Sequence, residues 1–295
     1  MQRTQQIASF GIVLGVGVLA LKVGAWSLGN SAALFADAME ATVNLIALFI
    51  GMVAIDFAAR PADENHPYGH QKAEFFAAVV EGALIIVASV LILTHAWTTW
   101  RDAAPLMAPW QGLALNGLAT ALNAVWGSVM LRASRYAPTG SLQADGRHLW
   151  ADAAMSAVII AGLGAAQWRG LAILDPLLAA VFAIYVLWSG LSLISQSIGG
   201  LMDAAPAPDV VERIRRLVGG HAAGALEVHD LRTRHAGRQT YLEFHLVVPG
   251  EMRVSESHAI CDRIEAALRT EMEQLVITIH VEPEGKAKHH GIPVL

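Results

Sequence analysis

Six stretches of this chain, roughly 7–28, 32–57, 76–98, 109–132, 143–166 and 172–195, are apolar for long enough to cross a bilayer as helices. About 20 apolar residues make one crossing, and a helix satisfies its backbone polar groups there without water. The breaks between the runs are turn-forming or polar: Gly29-Asn30, Arg60 to Glu74, Arg101 to Pro109, Arg135 to Gly140 and Gln167 to Gly170. The first run is long and lacks a small-residue cleavage pattern, so it reads as a retained helix rather than a signal peptide.

Composition separates a second part. Of the 295 residues 55% are hydrophobic and 15% charged, with a mean hydropathy of +0.46; a soluble domain carries about 25% charged residues. The deficit ends at Leu201: 11 of the 20 Lys and Arg lie between Arg213 and Lys288, and eight of the 12 His lie beyond Leu201. The expected division is a membrane domain at 1–201, a soluble domain at 202–285 and a flexible tail at 286–295.

Six spans put both termini on one side. Arg3, Arg60, Lys72, Arg132, Arg135 and Arg147 fall on that side, and Arg101 and Arg169 opposite. Positive loops stay inside, so both termini are expected in the cytoplasm, with the chain in an inner or plasma membrane. The soluble part reads as helix (Asp209 to Val218), strand (Leu226 to Arg234), strand (Thr240 to Val248), helix (Ser255 to Met272) and strand (Leu275 to Glu282). The expected fold is therefore an α-helical membrane protein with six transmembrane helices, plus a C-terminal α+β ferredoxin-like (αββαβ) cytoplasmic domain with its helices on one sheet face. Strand alternation buries Leu242, Phe244, Leu246 and Val248 and turns His245 to the other face.

Several function classes drop out. A single cysteine, Cys261, excludes an internal disulfide and a CxxC metal site. A net charge of -5 gives no reason to expect nucleic acid. No HExxH, nucleophile–base pair or cofactor fingerprint is present, which argues against an enzyme.

Ionisable residues inside an apolar span each need a reason. The second span carries Asp37, Glu40 and Asn44, on one helix face by their offsets of three and seven; the fifth carries His148 and Asp152, four apart. Small neighbours such as Ala36, Ala38, Ala41, Ala151 and Ala153 permit close helix packing. These side chains either hydrogen-bond between helices or hold a divalent cation, and imidazole with carboxylate suits zinc, ferrous iron, cobalt or manganese. Glu81, Asn116 and Asn123 read as structural partners, and His95 as a residue near a span end. In the loop after span two, Asp63, His66 and His70 are close enough to share an ion. In the soluble part His229, His245, His258, His280 and Glu282 lie on neighbouring elements, whereas His221, His235 and His289-His290 look incidental.

These residues give the chain a family likeness. It resembles, over nearly its whole length, the cation diffusion facilitator family, especially the bacterial zinc/ferrous-iron efflux branch. The likeness rests on the six-span plan, the loop Asn65-His-Pro-Tyr-Gly-His-Gln-Lys-Ala-Glu74, His148-xxx-Asp152 and the strand His229-Asp-Leu-Arg-Thr-Arg234. It implies a homodimer that exports divalent metal, zinc or ferrous iron foremost and cobalt, cadmium or manganese besides, in exchange for protons. The implied transport site has four ligands from spans two and five; Asp37, His148 and Asp152 match three, and the fourth position holds Ala41. Glu40, Asn44 or a water is left to complete that shell. The resemblance makes Asp63, His66 and His70 a loop site, and His229, His245, His258, His280 and Glu282 a binuclear cytoplasmic site that steadies the dimer. It makes Lys72 and Asp203 a charge pair locking the membrane halves. The alternative is a membrane metal sensor or scaffold that dimerises on metal binding without transport, and Ala41 favours it.

Overall fold

The computed structural model describes residues 2–102, 109–136, 140–272, 274–288, 291, 292 and 294. Six long helices come first: α1 (Gln2–Gly29), α2 (Ala32–Ala58), α3 (Ala73–Asp102), α4 (Pro109–Tyr136), α5 (Gly140–Arg169) and α6 (Leu174–Leu201). Each contains a stretch long and apolar enough to cross a membrane. The helices outrun the apolar stretches at some ends, as where α3 begins at Ala73, because a helix stops where its backbone breaks rather than where its polarity changes. Val13, Val53, Val125 and Val181 are all more than 60% exposed, the pattern expected of side chains that face lipid rather than water.

The chain forms two units, Met1–Met52 with Val80–Ile194, and Val53–Val79 with Ser195–Leu295. In the first, Ala25, Ala32, Ala33, Ala36 and Ala179 pack with Ile92, Ile159 and Phe182 in a core between helices. Gly82 of α3 and Gly190 of α6 let the two helices approach closely: a Cβ on either would lie 3.0 or 3.1 Å from the other's carbonyl oxygen. The turn into α2 is tied to α6 by Asp175. Its carboxylate accepts hydrogen bonds from Ser31 Oγ at 2.5 Å and from the N–H groups of Ala32 and Ala33, both at 2.9 Å. Those N–H groups lie in the first helical turn and have no partner inside the helix, and the carboxylate also faces the positive end of its dipole.

The second unit contains α7 (Pro208–His221), β1 (Glu227–Ala236), β2 (Gln239–Val248), α8 (Val254–Glu271) and β3 (Leu275–Pro283), the expected αββαβ order. The sheet runs β1-β2-β3, with β1 antiparallel and β3 parallel to β2. Ile214 and Val218 of α7 and Ile260, Ile264 and Leu268 of α8 recur at helical spacing. They close one core with Leu242, Phe244, Leu246 and Val248 of β2. Ile292 donates its N–H to the Val228 carbonyl at 2.7 Å, adding a short antiparallel bridge beside β1.

The loop between α2 and α3 belongs to this unit. Tyr241 Oη donates to the Tyr68 carbonyl at 3.0 Å, and the Gln239 N–H to Gln71 Oε1 at 3.1 Å. Gly237, at φ +57°, sits where a Cβ would come within 3.0 Å of the Gln71 carbonyl, so the turn between β1 and β2 needs glycine for its backbone angle and for space. Asp203 takes Lys72 at 2.9 Å and Arg234 at 3.1 Å, and Arg234 stacks 4.3 Å over the Tyr241 ring. The Lys72 hydrogen bond, with Arg234 behind it, holds the Asp203 carboxyl below the usual carboxylate range.

Candidate metal centres

Asp37 is fully buried on α2. Its Oδ1 accepts from Ser156 of α5 at 2.8 Å and forms an ion pair with Lys22 Nζ of α1 at 2.7 Å. Asn44, two turns further along α2, donates Nδ2 to Asp152 Oδ2 at 3.1 Å. Two rungs therefore join α2 to α5. His148 Nε2 stands 3.7 Å from Asp152 Oδ2, with its side chain 60% exposed against 10% for Asp152, so it lies at the rim of the group. Asp37 Oδ2 and Glu40 Oε2 are shielded from solvent and accept no hydrogen bond. These contacts bring Asp37 and Asn44 of α2 against Ser156 and Asp152 of α5, while His148 meets Asp152 of its own helix. Sequence reasoning passed over Lys22, although a lysine in mid-span is itself a signal, because its charge demands a partner at that depth.

Among the described residues, the ligand atoms of Asp63, His66 and His70 lie within 4.8 Å of one another. Asp63 Oδ1 is 3.3 Å from His66 Nδ1, Asp63 Oδ2 is 3.4 Å from His70 Nε2, and the two rings are 4.5 Å apart. The backbone N–H groups of His66 and Asn65 donate to Asp63 at 2.7 and 2.9 Å. The His66 bond first, then that of Asn65, holds its carboxyl below the usual range. His70 is buried against Phe57, ring centres 4.9 Å apart, and its Nδ1 has no partner. An aspartate kept ionised beside two imidazoles is a donor set for a borderline-soft divalent ion.

In the sheet, His229, His245 and His280 pair across the three strands as a single row, with ring centres 5.2 and 5.0 Å apart. Period two puts the row on the face away from α7 and α8. Glu282, two residues after His280, reaches all three: 3.2 Å to His229 Nε2, 3.3 Å to His245 Nδ1 and 3.7 Å to His280 Nε2. Glu227 Oε1 is 3.4 Å from His229 Nδ1. Asp230 joins the group too, its ligand atom within 4.8 Å of those of His229 and His245. Strict alternation sends a residue next to His229 to the opposite face. The register shift between His229 and Arg232, with Asp230 at φ +52°, brings it back. Lys288 Nζ is 2.5 Å from Asp230 Oδ2, and that hydrogen bond holds the Asp230 carboxyl below the usual range.

His258 is not brought to the row. It projects from α8, which covers the other sheet face, with its side chain 73% exposed and Nε2 3.6 Å from Asp262. His221 Nδ1 lies 2.9 Å from the Leu217 carbonyl, and His235 Nδ1 3.0 Å from Thr240 Oγ1. The His289-His290 pair lies outside the described residues. His95 sits against Phe35 at 4.4 Å and Trp26 at 6.5 Å, inside the helix packing. Asn116, expected as a hydrogen-bonding partner between helices, is fully buried with neither amide atom paired.

Long apolar helices, buried carboxylates bridged across α2 and α5, and two further clusters of imidazole and carboxylate define a class of membrane protein that handles metal cations. The family model for the cation efflux transmembrane domain matches residues 8–202, and that for the cation efflux protein cytoplasmic domain matches residues 206–284. The chain belongs to the cation diffusion facilitator, or cation efflux, family, whose activity is the outward movement of metal cations. It is 34% identical over 283 residues to an uncharacterized transporter, sll1263, of Synechocystis sp., covering 96% of this chain and 91% of that protein. It is 29% identical over 274 residues to the cation-efflux pump FieF of Shewanella oneidensis, covering 92% of this chain and 91% of the pump. A solved structure of CzrB in its zinc form has 52% sequence identity, covers 28% of this chain and 96% of its own, and superposes with a TM-score of 0.28.

Proposed function

We propose that this chain is a proton-coupled antiporter that exports divalent transition metal from the cytoplasm. Zinc and ferrous iron are the foremost substrates, and cobalt, cadmium or manganese suit the same donors. It works as a homodimer in the bacterial inner membrane, with N- and C-termini cytoplasmic. The observation that carries this reading is the buried pair Asp37 and Asp152, each hydrogen-bonded across the α2–α5 contact. Ionised groups stay at such depth only when they have work or partners.

The proton coupling follows from ligand chemistry. A metal binds ionised carboxylate and neutral imidazole, so Asp37, Asp152 and His148 exchange protons for the ion. Access alternates as the α2–α5 pair shifts, exposing the site to one side at a time. The excess of Arg and Lys in the loops on the termini side supports the cytoplasmic orientation. In the tail, His229, His245, His280, Glu282 and Asp230 hold one or two structural ions. His258 is exposed on α8 outside its own chain's row, and the match to the cation efflux cytoplasmic-domain model supports the homodimer. The loop triad of Asp63, His66 and His70 forms a third site.

The test is metal flux into proteoliposomes under an imposed pH gradient, for wild type, Asp37→Ala and Asp152→Ala. Metal movement with counter-flowing protons, stopped by both substitutions, is the expected result. Metal bound through the tail with no ion crossing the membrane would replace transport with the sensor reading.

A further inference from the structure

The start of α2 is capped from a distance. Asn30 and Ser31 join it to α1, and Asn30 turns the chain at φ +48°. The first N–H groups of a helix find no partner within it. Ser31 Oγ accepts from the Leu34 N–H at 3.1 Å, an ordinary local cap. The Ala32 and Ala33 N–H groups go instead to the two carboxylate oxygens of Asp175, in the first turn of α6, and Ser31 Oγ donates to the same group. Ser31 is 1% exposed and Asp175 2%, so water does not compete for these bonds.

Lys22, Ser156 and Asp152 reach α2 further along, at Asp37 and Asn44. Each of those bonds uses an oxygen of Asp37 or Asp152, so on the export reading they rearrange whenever a cation arrives or leaves. The Asp175 tie shares no atom with them. Burial grades the same way along the helix. Ala32, Ala33, Leu34 and Ala36 are at most 2% exposed, whereas Ile46, Leu48, Phe49 and Met52 are at least 40% exposed. A stiff helix held by buried bonds at one end, with outward-facing side chains at the other, moves by tilting about the held end.

Resting on the export reading above, we propose that Asp175 is a positioning residue of transport: it holds the start of α2 to α6 as the fixed point about which α2 tilts when the site changes access. Asp37 stands about 6 Å along the helix axis from Ala33 and Asn44 about 17 Å, so a tilt moves Asn44 roughly three times as far. The bond from Asn44 to Asp152 therefore opens and closes with the motion, while Asp37 stays close to Lys22. Affinity for the metal belongs to its ligands, and the rate of exchange between the two access states belongs to the pivot.

The experiment separates the tie from the cap. Asp175→Ala removes both. Ser31→Asp combined with Asp175→Ala puts a carboxylate at the helix start, where it caps the first-turn N–H groups locally and leaves no acceptor on α6. Melting temperature is measured on the full-length protein in detergent, and zinc flux in proteoliposomes under a pH gradient over a range of zinc concentrations. The double variant is expected to recover most of the melting temperature lost in Asp175→Ala. It should still turn over at least about tenfold more slowly than wild type, with KM within about threefold. Asp175→Asn keeps the side-chain shape and one acceptor oxygen, so it tests the tie even if the double variant does not fold; slower turnover at an unchanged KM is expected. Wild-type turnover in the folded double variant or in Asp175→Asn, or a loss lying mainly in KM, overturns the pivot. A wild type that moves no zinc removes the export reading and the pivot together, an outcome distinct from disagreement among the variants alone.

Discussion

Lys22 Nζ and Asp37 Oδ1 lie 2.7 Å apart between α1 and α2, with side-chain exposures of 2% and 1%. Each is the other's condition for staying charged at that depth, since neither reaches water. Ser156 adds a donor to the same Asp37 oxygen at 2.8 Å, so three helices converge on one atom.

Removing one member of that pair leaves the other buried and unpaired. Lys22→Met should lower the stability of the detergent-solubilised protein by about 3–5 kcal/mol, the usual penalty for breaking a buried ion pair. Lys22→Met with Asp37→Leu should recover much of the loss, because the double substitution leaves no orphan charge. Thermal unfolding of the three proteins checks this; a single variant as stable as the double one would falsify it.

Asp203 gives a pH dependence with a definite sign. Its folded carboxyl is held below the ordinary value of about 3.9 by Lys72 and then Arg234. The unfolded chain therefore binds the proton more readily, and the contribution is fully present above about pH 4 and fades as pH falls through the lower folded value. Asp203→Asn should lower stability at neutral pH and flatten the curve at the acid end. Melting temperatures between pH 3 and pH 7, buffer values of about that range, compare the two proteins; parallel curves count against the bridge.

The tail cluster separates two roles. Glu282 touches all three histidines of the row, so Glu282→Ala should weaken tail zinc binding at least about tenfold. His258 lies on the far side of the sheet, so His258→Ala should spare most zinc binding within one chain and loosen the dimer. Calorimetry reports the first effect and sedimentation the second. Equal loss of zinc in both variants would place His258 in the row after all.

The crossing of α3 and α6 tolerates no side chain. A Cβ at Gly190 would stand 2.7 Å from Ile85 Cγ2 and 3.1 Å from the Gly82 carbonyl. Gly190→Val should therefore cost about 1–3 kcal/mol through overpacking, while Gly164→Val, where nothing lies within 4 Å of an added Cβ, should not. Thermal unfolding of the two variants gives the comparison.

Much of this protein is legible in its residue order. Long apolar runs require membrane helices because unsatisfied backbone is intolerable in hydrocarbon, and all six are present. Alternation in Thr240 to Val248 divides a core face from a ligand face for the same local reason, since successive side chains in a strand point opposite ways. Spacing of three, four and seven groups Asp37, Glu40 and Asn44 on one face, and His148 with Asp152 on another.

Tertiary structure decided which of those faces meet and what stands opposite each charge. Lys22 and Asp37 are 15 residues apart on separate helices, a separation at which no periodicity forecasts contact. Asp230 joins the histidine row only because a register shift turns one residue over, and the bulge depends on the pairing of two strands rather than on either strand alone. His258 leaves the row because α8 must bury Ile260, Ile264 and Leu268 on the opposite face of the sheet. Helices, strands and their faces follow from interactions within a few residues, which the sequence carries by itself. Partners of buried charges depend on how distant segments pack, and only the folded chain settles that.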